Sequence, residues 1–280
     1  MGRYLCWLFY FGEGWLRSMV AELLPANDDD LRRAAWRSHL GHDEGPLAGL
    51  MAELHDCYAE DIPVICADDE DRDLRDLYQN RLADYILLLH LRDELPDDVL
   101  KLFLEHAAPG VRCHAMGFAG NQVSSAEVPD HVKARSLAYW ESRLAEAIRS
   151  GNLDTYRSEL GVIGQWCFHG QVDEAWLCEQ LIRMLRAGFA PTDAFSVAEW
   201  LQKIAPRHVD RAVEALAALL RHPEVDRWAY MTQREPIRAV LREGLARGTA
   251  ETIERANATV GYLSSIGETS YLDLVRPSAA

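Results

Sequence analysis

Lysine is scarce in this chain. Lys101, Lys133 and Lys203 are the only three in 280 residues, and they follow Leu100, Val132 and Gln202. None follows a glycine, so the phosphate-cradling G-x-x-x-x-G-K-[ST] loop is excluded. HExxH and GxSxG are missing too, which removes the commonest zinc-protease and serine-hydrolase signatures. The six cysteines (Cys6, Cys57, Cys66, Cys113, Cys167 and Cys178) form no CxxC and no framework spacing. Set in apolar stretches, they read as reduced thiols acting as small hydrophobes, which predicts a cytoplasmic protein.

Basic charge is short as well: 29 Lys and Arg against 44 Asp and Glu give −15. A nucleic-acid binder concentrates basic residues to displace counterions from phosphates, and here the arginines are spread among acids. The same sign argues against an anionic membrane surface. Long hydrophobic runs are also lacking. Tyr4 to Phe11 is apolar, but Gly12-Glu13-Gly14 interrupts it far short of the ~20 residues that span a bilayer. With only Arg3 before it and no small-residue cleavage site after, that run makes a poor signal peptide.

Alternating β-branched runs with hairpin turns are likewise missing, and the chain reads as helix throughout. Leu74, Leu77, Tyr78, Leu82, Tyr85, Ile86 and Leu89 form one helical face running to about Leu91. Pro96-Asp97-Asp98 starts a helix that ends near Pro109-Gly110, and a short one follows from Val111 to Ala119. Further helices are predicted over 129–150, 153–168, 172–187, 192–205, 206–220, 236–247 and 249–266. Before them come 4–11, 15–24, 29–40 and 47–60. Residues 61–76, with Pro63 and an acidic cluster, mark a seam between two sub-stacks, 1–62 and 69–276, of a single continuous domain over 1–280.

A weak internal repeat organises these helices. Pro129-Asp130-His131-Val132-Lys133-Ala134-Arg135 returns as Pro206-Arg207-His208-Val209-Asp210-Arg211-Ala212, and Tyr4-Leu5-Cys6-Trp7-Leu8 lines up with Tyr85-Ile86-Leu87-Leu88-Leu89. Self-similarity near 80 residues in an all-helical chain predicts an all-α, HEAT-like α-solenoid of stacked antiparallel hairpins, two hairpins per period. The prolines are expected to open helices and the two histidines to sit in inter-helix turns.

Few constellations suggest chemistry. The acidic run Asp68 to Asp73 fails as an EF-hand loop, because its sixth and twelfth positions counted from Asp69 are Leu74 and Asn80. It reads as a solvated helix start. His42-Asp43 resembles the metal-binding dipeptide of the all-helical HD phosphohydrolases. The only earlier histidine, His39, is three residues away, so the expected further ligand is missing. Cys113-His114 and Cys167-x-His169 lack an oriented third group and read as core residues. The eight tryptophans scatter along the chain, as inter-helix packing requires, with one or two left as interface anchors. No catalytic, cofactor-binding or metal-ligating residue is therefore predicted, and no cofactor.

Four segments resemble a known family: Leu88 to Phe118 (LLHLRDELPDDVLKLFLEHAAPGVRCHAMGF), Leu137 to Leu144 (LAYWESRL), Gly164 to Leu181 (GQWCFHGQVDEAWLCEQL) and Tyr262 to Val275 (YLSSIGETSYLDLV). They resemble the C-terminal helical-repeat regions of large bacterial anti-phage defence proteins, in which a Sir2-like or other effector, sometimes with a STAND-type NTPase core, precedes a helical array. The resemblance implies a non-catalytic sensor or assembly module, the C-terminal part of a larger protein, whose partner is a protein, viral or basic. No catalytic residue transfers, so any enzymatic activity is expected upstream. The apolar first helix lacks a polar capping repeat, which predicts packing against an upstream domain or a second copy of the chain. The alternatives are a homo-oligomerisation module and a helical metal-dependent hydrolase using His42 and Asp43.

Overall fold

All regular structure among the described residues is helical, and none is strand. The computed structural model describes residues 5–25, 27–41, 45, 48–67, 72–124, 127–168, 172–225 and 234–275. Tertiary contacts divide the chain into two units. The first is Met1–Ala119 with Val128–Ser136, and the second is Gly120–Glu127 with Leu137–Ala280.

The first unit opens with α1 (Leu5–Leu23), which leaves helical geometry at Gly12, where φ is −160° and ψ 55°. The sequence places a break there, and the kink at Gly12 separates two helical stretches as expected. In α2 (Asp29–Leu40) the Asp28 side chain accepts from the Leu31 N–H at 2.9 Å and caps the first turn. A 3-10 turn (Ala48–Leu50) leads into α3 (Met51–Cys66). That helix runs through Pro63, inside the expected seam. A mid-helix proline removes a donor and crowds the preceding turn. Here Tyr58 and Ile62 hold the segment down in the core, and Gln79 donates to the carbonyls of Ile65 and Cys66 at 2.9 and 3.1 Å, satisfying the C-terminal turn. Residues 68–71, the heart of the acidic run, lie outside the described residues.

Helices α4 (Arg72–Leu91) and α5 (Asp97–His106) follow the sequence pattern closely. The next, α6 (Pro109–Ser124), is longer than expected at both ends; at its start Pro109 takes up the first helical position, where its missing N–H costs nothing. Within this unit α1 packs on α2 and α3, α2 on α4, α3 on α4 and α5, and α4 on α5.

The second unit takes in the later part of α7 (Asp130–Ser150), followed by α8 (Leu153–Gly161) and α9 (Ile163–Phe168). The sequence predicts a single helix over 153–168. It breaks because the Gly161 carbonyl turns outward to accept both the N–H and the hydroxyl of Thr192, at 2.9 and 3.0 Å. A Cβ at Gly161 would stand 2.8 Å from the Thr192 methyl, so only glycine permits that approach. Then come α10 (Glu174–Arg186), α11 (Ala194–Ile204), α12 (Val209–Arg221), α13 (Arg234–Arg247) and α14 (Ala250–Ser265). Side-chain caps from Asp173, Asp193 and Thr249 start α10, α11 and α14. A closing 3-10 helix (Thr269–Leu274) buries Tyr271 against α13 and α14.

Helix α12 starts at Val209 and not at Pro206, so the two prolines of the repeated segment are not equivalent. Pro129 directly precedes α7, with His131 exposed in its first turn. Pro206 sits in a turn, and His208 is the N-cap, its backbone at φ −132° and ψ 49°. In this unit α9 lies on α11, α10 on α12, α11 on α12 and α13, α12 on α13 and α14, and α13 on α14. The core between them is apolar, built on Leu181, Val197, Leu201, Val213, Leu216, Leu241 and Val260.

Candidate functional site

A cleft in the first unit lies among α2, α3 and α4, with Arg32, Trp36, Asp61 and Tyr78 in its wall and a volume of about 70 Å³. That admits a few waters at most, far from the several hundred Å³ of a substrate pocket. Several of its polar groups bind one another. The buried Arg32 guanidinium pairs with Asp61 at 2.8 Å, Glu60 at 3.0 Å and Asp29 at 3.0 Å. The Trp36 indole N–H donates to the second Asp61 oxygen at 2.5 Å. Burial pushes the Asp61 carboxyl above its usual range, while the Trp36 bond and the Arg32 charge pull it back down. An acid whose two oxygens are both engaged this way clamps α2 to α3.

Beside this clamp, His39 packs its ring 6.0 Å from Trp36 and 5.2 Å from Tyr85. Burial lowers its pKa to about 4. His42 and Asp43 lie outside the described residues. Among the described residues, no group of three or more His, Cys, Asp or Glu side chains is arranged to hold a metal ion.

The thiols sit in poor surroundings for nucleophilic chemistry. Burial raises Cys66 to about 11 and Cys178 to about 12, and lifts Cys167 further still. Thiols of that kind stay protonated and inert at neutral pH. His114, next to Cys113, turns instead to Asp84, its Nε2 2.7 Å from the carboxylate. His169 lies outside the described residues. His208 faces Glu174 at 3.2 Å, and Arg207 grips the same carboxylate, so both side chains tie α12 to α10. Their bonds hold Glu174 below its usual range, against a smaller effect of burial.

The tryptophans divide by role. Trp140, Trp166 and Trp176 form a chain in the second unit with ring centroids 5.2 and 6.1 Å apart, and Trp36 meets Tyr58 edge-on at 4.9 Å. Trp15 is different: on α1 it is 48% exposed, close in sequence to Tyr10 at 80% and Phe11 at 77%. Two features escape sequence reading. One is a buried ion pair, Arg143 to Glu159, bidentate at 2.6 and 2.9 Å. The other is a set of bonds that join α10 to α12 and α12 to α14, at sequence separations of 33 for Arg207 to Glu174, 36 for Arg211 to Ala175 and 39 for Thr249 to Asp210. Partners so far apart in the chain leave no local pattern in the sequence.

No helix among the described residues is long and apolar enough to cross a membrane. No protein-family model matches the chain, and neither a curated protein nor a solved structure shows significant similarity to it.

Proposed function

We propose that this chain is a non-catalytic protein-recognition or scaffold module, built as a HEAT-like stack of antiparallel helical hairpins. The observation that carries the reading is the packing of each helix on the one two places later, α9 to α11, α10 to α12, α11 to α13 and α12 to α14. A two-layer stack of hairpins produces that pattern. The inter-helix bonds at separations of 33 to 39 residues fit hairpins of about the predicted 40. In such a stack, each hairpin adds a strip of surface, and affinity comes from several modest contacts together. The net charge of −15 favours a partner with a basic surface at long range. The test is selection from a displayed library of random twelve-residue peptides, followed by titration of the winners. The reading expects saturable binding, with Kd in the micromolar range or below. Enrichment no greater than for an unrelated helical protein would remove it.

A place in bacterial antiviral defence rests on the resemblance of the four segments alone. A library of fragmented phage proteins should then enrich viral sequences over a shuffled control, and equal enrichment would discard that assignment.

A second reading, a homo-oligomerisation module, is favoured by Tyr10, Phe11 and Trp15 on α1. Exposed apolar patches of this kind mark contact sites. Sedimentation should then show a dimer that dissociates in a Tyr10→Ser, Phe11→Ser variant. A monomer at all concentrations in both proteins would leave recognition as the sole reading.

A further inference from the structure

The face made by α10, α12 and α14 carries a shallow groove of about 190 Å³, lined by Arg186, Glu214, Ala217, Ala218, Arg221 and Arg255. Three cations stand around one anion there, in a chain whose net charge is −15. Glu214 serves two of them: Arg186 pairs with one of its oxygens and Arg255 with the other, the latter at 3.5 Å. Glu251 meets Arg255 from the rim at 2.6 Å. The Arg221 guanidinium lies over the Tyr262 ring, 5.6 Å from its centroid, and among the described residues it has no carboxylate partner. Arg186 is two-thirds exposed. The floor between the charges is alanine, so nothing bulky keeps a ligand backbone from approaching.

Arginines gathered from three hairpins are costly to keep together without a matching anion, and Glu214 supplies only one carboxylate to them. A planar guanidinium held by an aromatic face keeps its fork of N–H donors free for a bidentate acceptor. We propose that this groove binds an acidic polypeptide segment, taking a Glu or Asp carboxylate between Arg221 and Arg186, with Glu214 as an internal competitor for the same cations. This rests on the recognition reading above and names the local chemistry of one of its contact sites. It also reverses the local sign: long-range attraction favours a basic partner, while this groove takes an acidic one. At about 0.1 M salt the Debye length is roughly 10 Å, so the distant acids of the chain are largely screened from a ligand in the groove. Peptide is favoured over nucleic acid because Glu214 and Glu251 would face a phosphate backbone, and such backbones are normally tracked by unbroken basic surfaces.

The test uses the full chain and a fluorescein-labelled deca-glutamate peptide, read by fluorescence anisotropy at about 0.1 M salt. Saturable binding is expected, weakened about tenfold by Arg221→Gln, the scale of one lost charge-assisted bond. Glu214→Gln should strengthen it severalfold, since removing the internal carboxylate frees Arg186. Loss of folding cannot mimic that gain. Absence of saturable binding, or affinities unchanged by both substitutions, would overturn the proposal. Tighter binding of a ten-nucleotide single-stranded DNA would also overturn it, making nucleic acid the occupant. Peptides enriched from the random library while deca-glutamate fails would refute the groove and leave the recognition reading standing.

Discussion

His39 shows how far one side chain can reveal its surroundings. Its ring is buried between Trp36 and Tyr85 and stays neutral down to about pH 4. Unfolding returns it to water, where its pKa is near 6.5. Between those values the unfolded chain binds a proton that the folded chain refuses. Stability from this group is therefore full above pH 6.5 and falls as pH drops towards 4, by up to about 3 kcal/mol. Asp61, with its raised pKa, acts in the opposite direction, so the effect is best read as a difference between proteins. Urea titrations at pH 7 and pH 4.5 should show a smaller pH-dependent loss in His39→Leu than in the parent; equal losses would contradict the assignment. The Arg143–Glu159 pair makes a second claim at this scale. Burial alone would lower the Arg143 pKa, but the bonds and charge of Glu159 outweigh it and the group is raised. The Glu159 side chain is fully buried, so Glu159→Gln leaves the buried Arg143 cation with the half-exposed Glu146 as its carboxylate partner, which keeps the cost at the low end for a broken buried pair. A loss of about 3 kcal/mol is expected. Arg143→Met with Glu159→Leu should recover most of it, and equal losses in the two variants would show that the charge is not the cause.

Helix contacts can be tested with two glycines whose surroundings differ. Gly244 lies in α13 where a Cβ would come 2.6 Å from a methyl of Val213 in α12. Gly261, in α14, has nothing within 4 Å of the same position. Helix propensity alone favours alanine by about 1 kcal/mol at either site. Overpacking costs ~1–3 kcal/mol, and at Gly244 it outweighs propensity. Thermal unfolding should thus find Gly244→Ala destabilised and Gly261→Ala stabilised; the same sign at both positions would refute the close α12–α13 contact. Most element boundaries are legible in the sequence, because Asp28, Asn152, Asp173 and Asp193 each cap a following first turn. Two of the differences have tertiary causes. The break after Gly161 needs Thr192, 31 residues on, and the helix through Pro63 needs Gln79. No local pattern announces either partner.

At the scale of the molecule, the all-helical class follows from periodicity, while the order of stacking does not. The repeated Pro-x-His-Val segment marks places of unlike structure, since α7 begins directly after its first proline and α12 begins three residues after its second. Its second copy nonetheless binds neighbouring helices together. Arg207 and His208 hold Glu174, Arg211 reaches the Ala175 carbonyl, and Asp210 accepts from the N–H of Thr249 at 3.1 Å and the hydroxyl of Thr252 at 2.5 Å. The apolar run of α1 is legible as an unpartnered face, and its Tyr10, Phe11 and Trp15 are exposed, whereas the arginines of the α10–α12–α14 groove are hidden. Exposure is set by packing partners, and the three arginines lie a hairpin apart in sequence. The hairpin stack is the claim on which the recognition reading depends, and Asp210 offers the most direct test of it. Energy in a stack passes mainly between neighbours. Hydrogen exchange of Asp210→Ala should accordingly show protection lost in α12, α13 and α14, with α8 and α9 retaining the parent's rates. Protection lost evenly from α8 through α14 would contradict the stack.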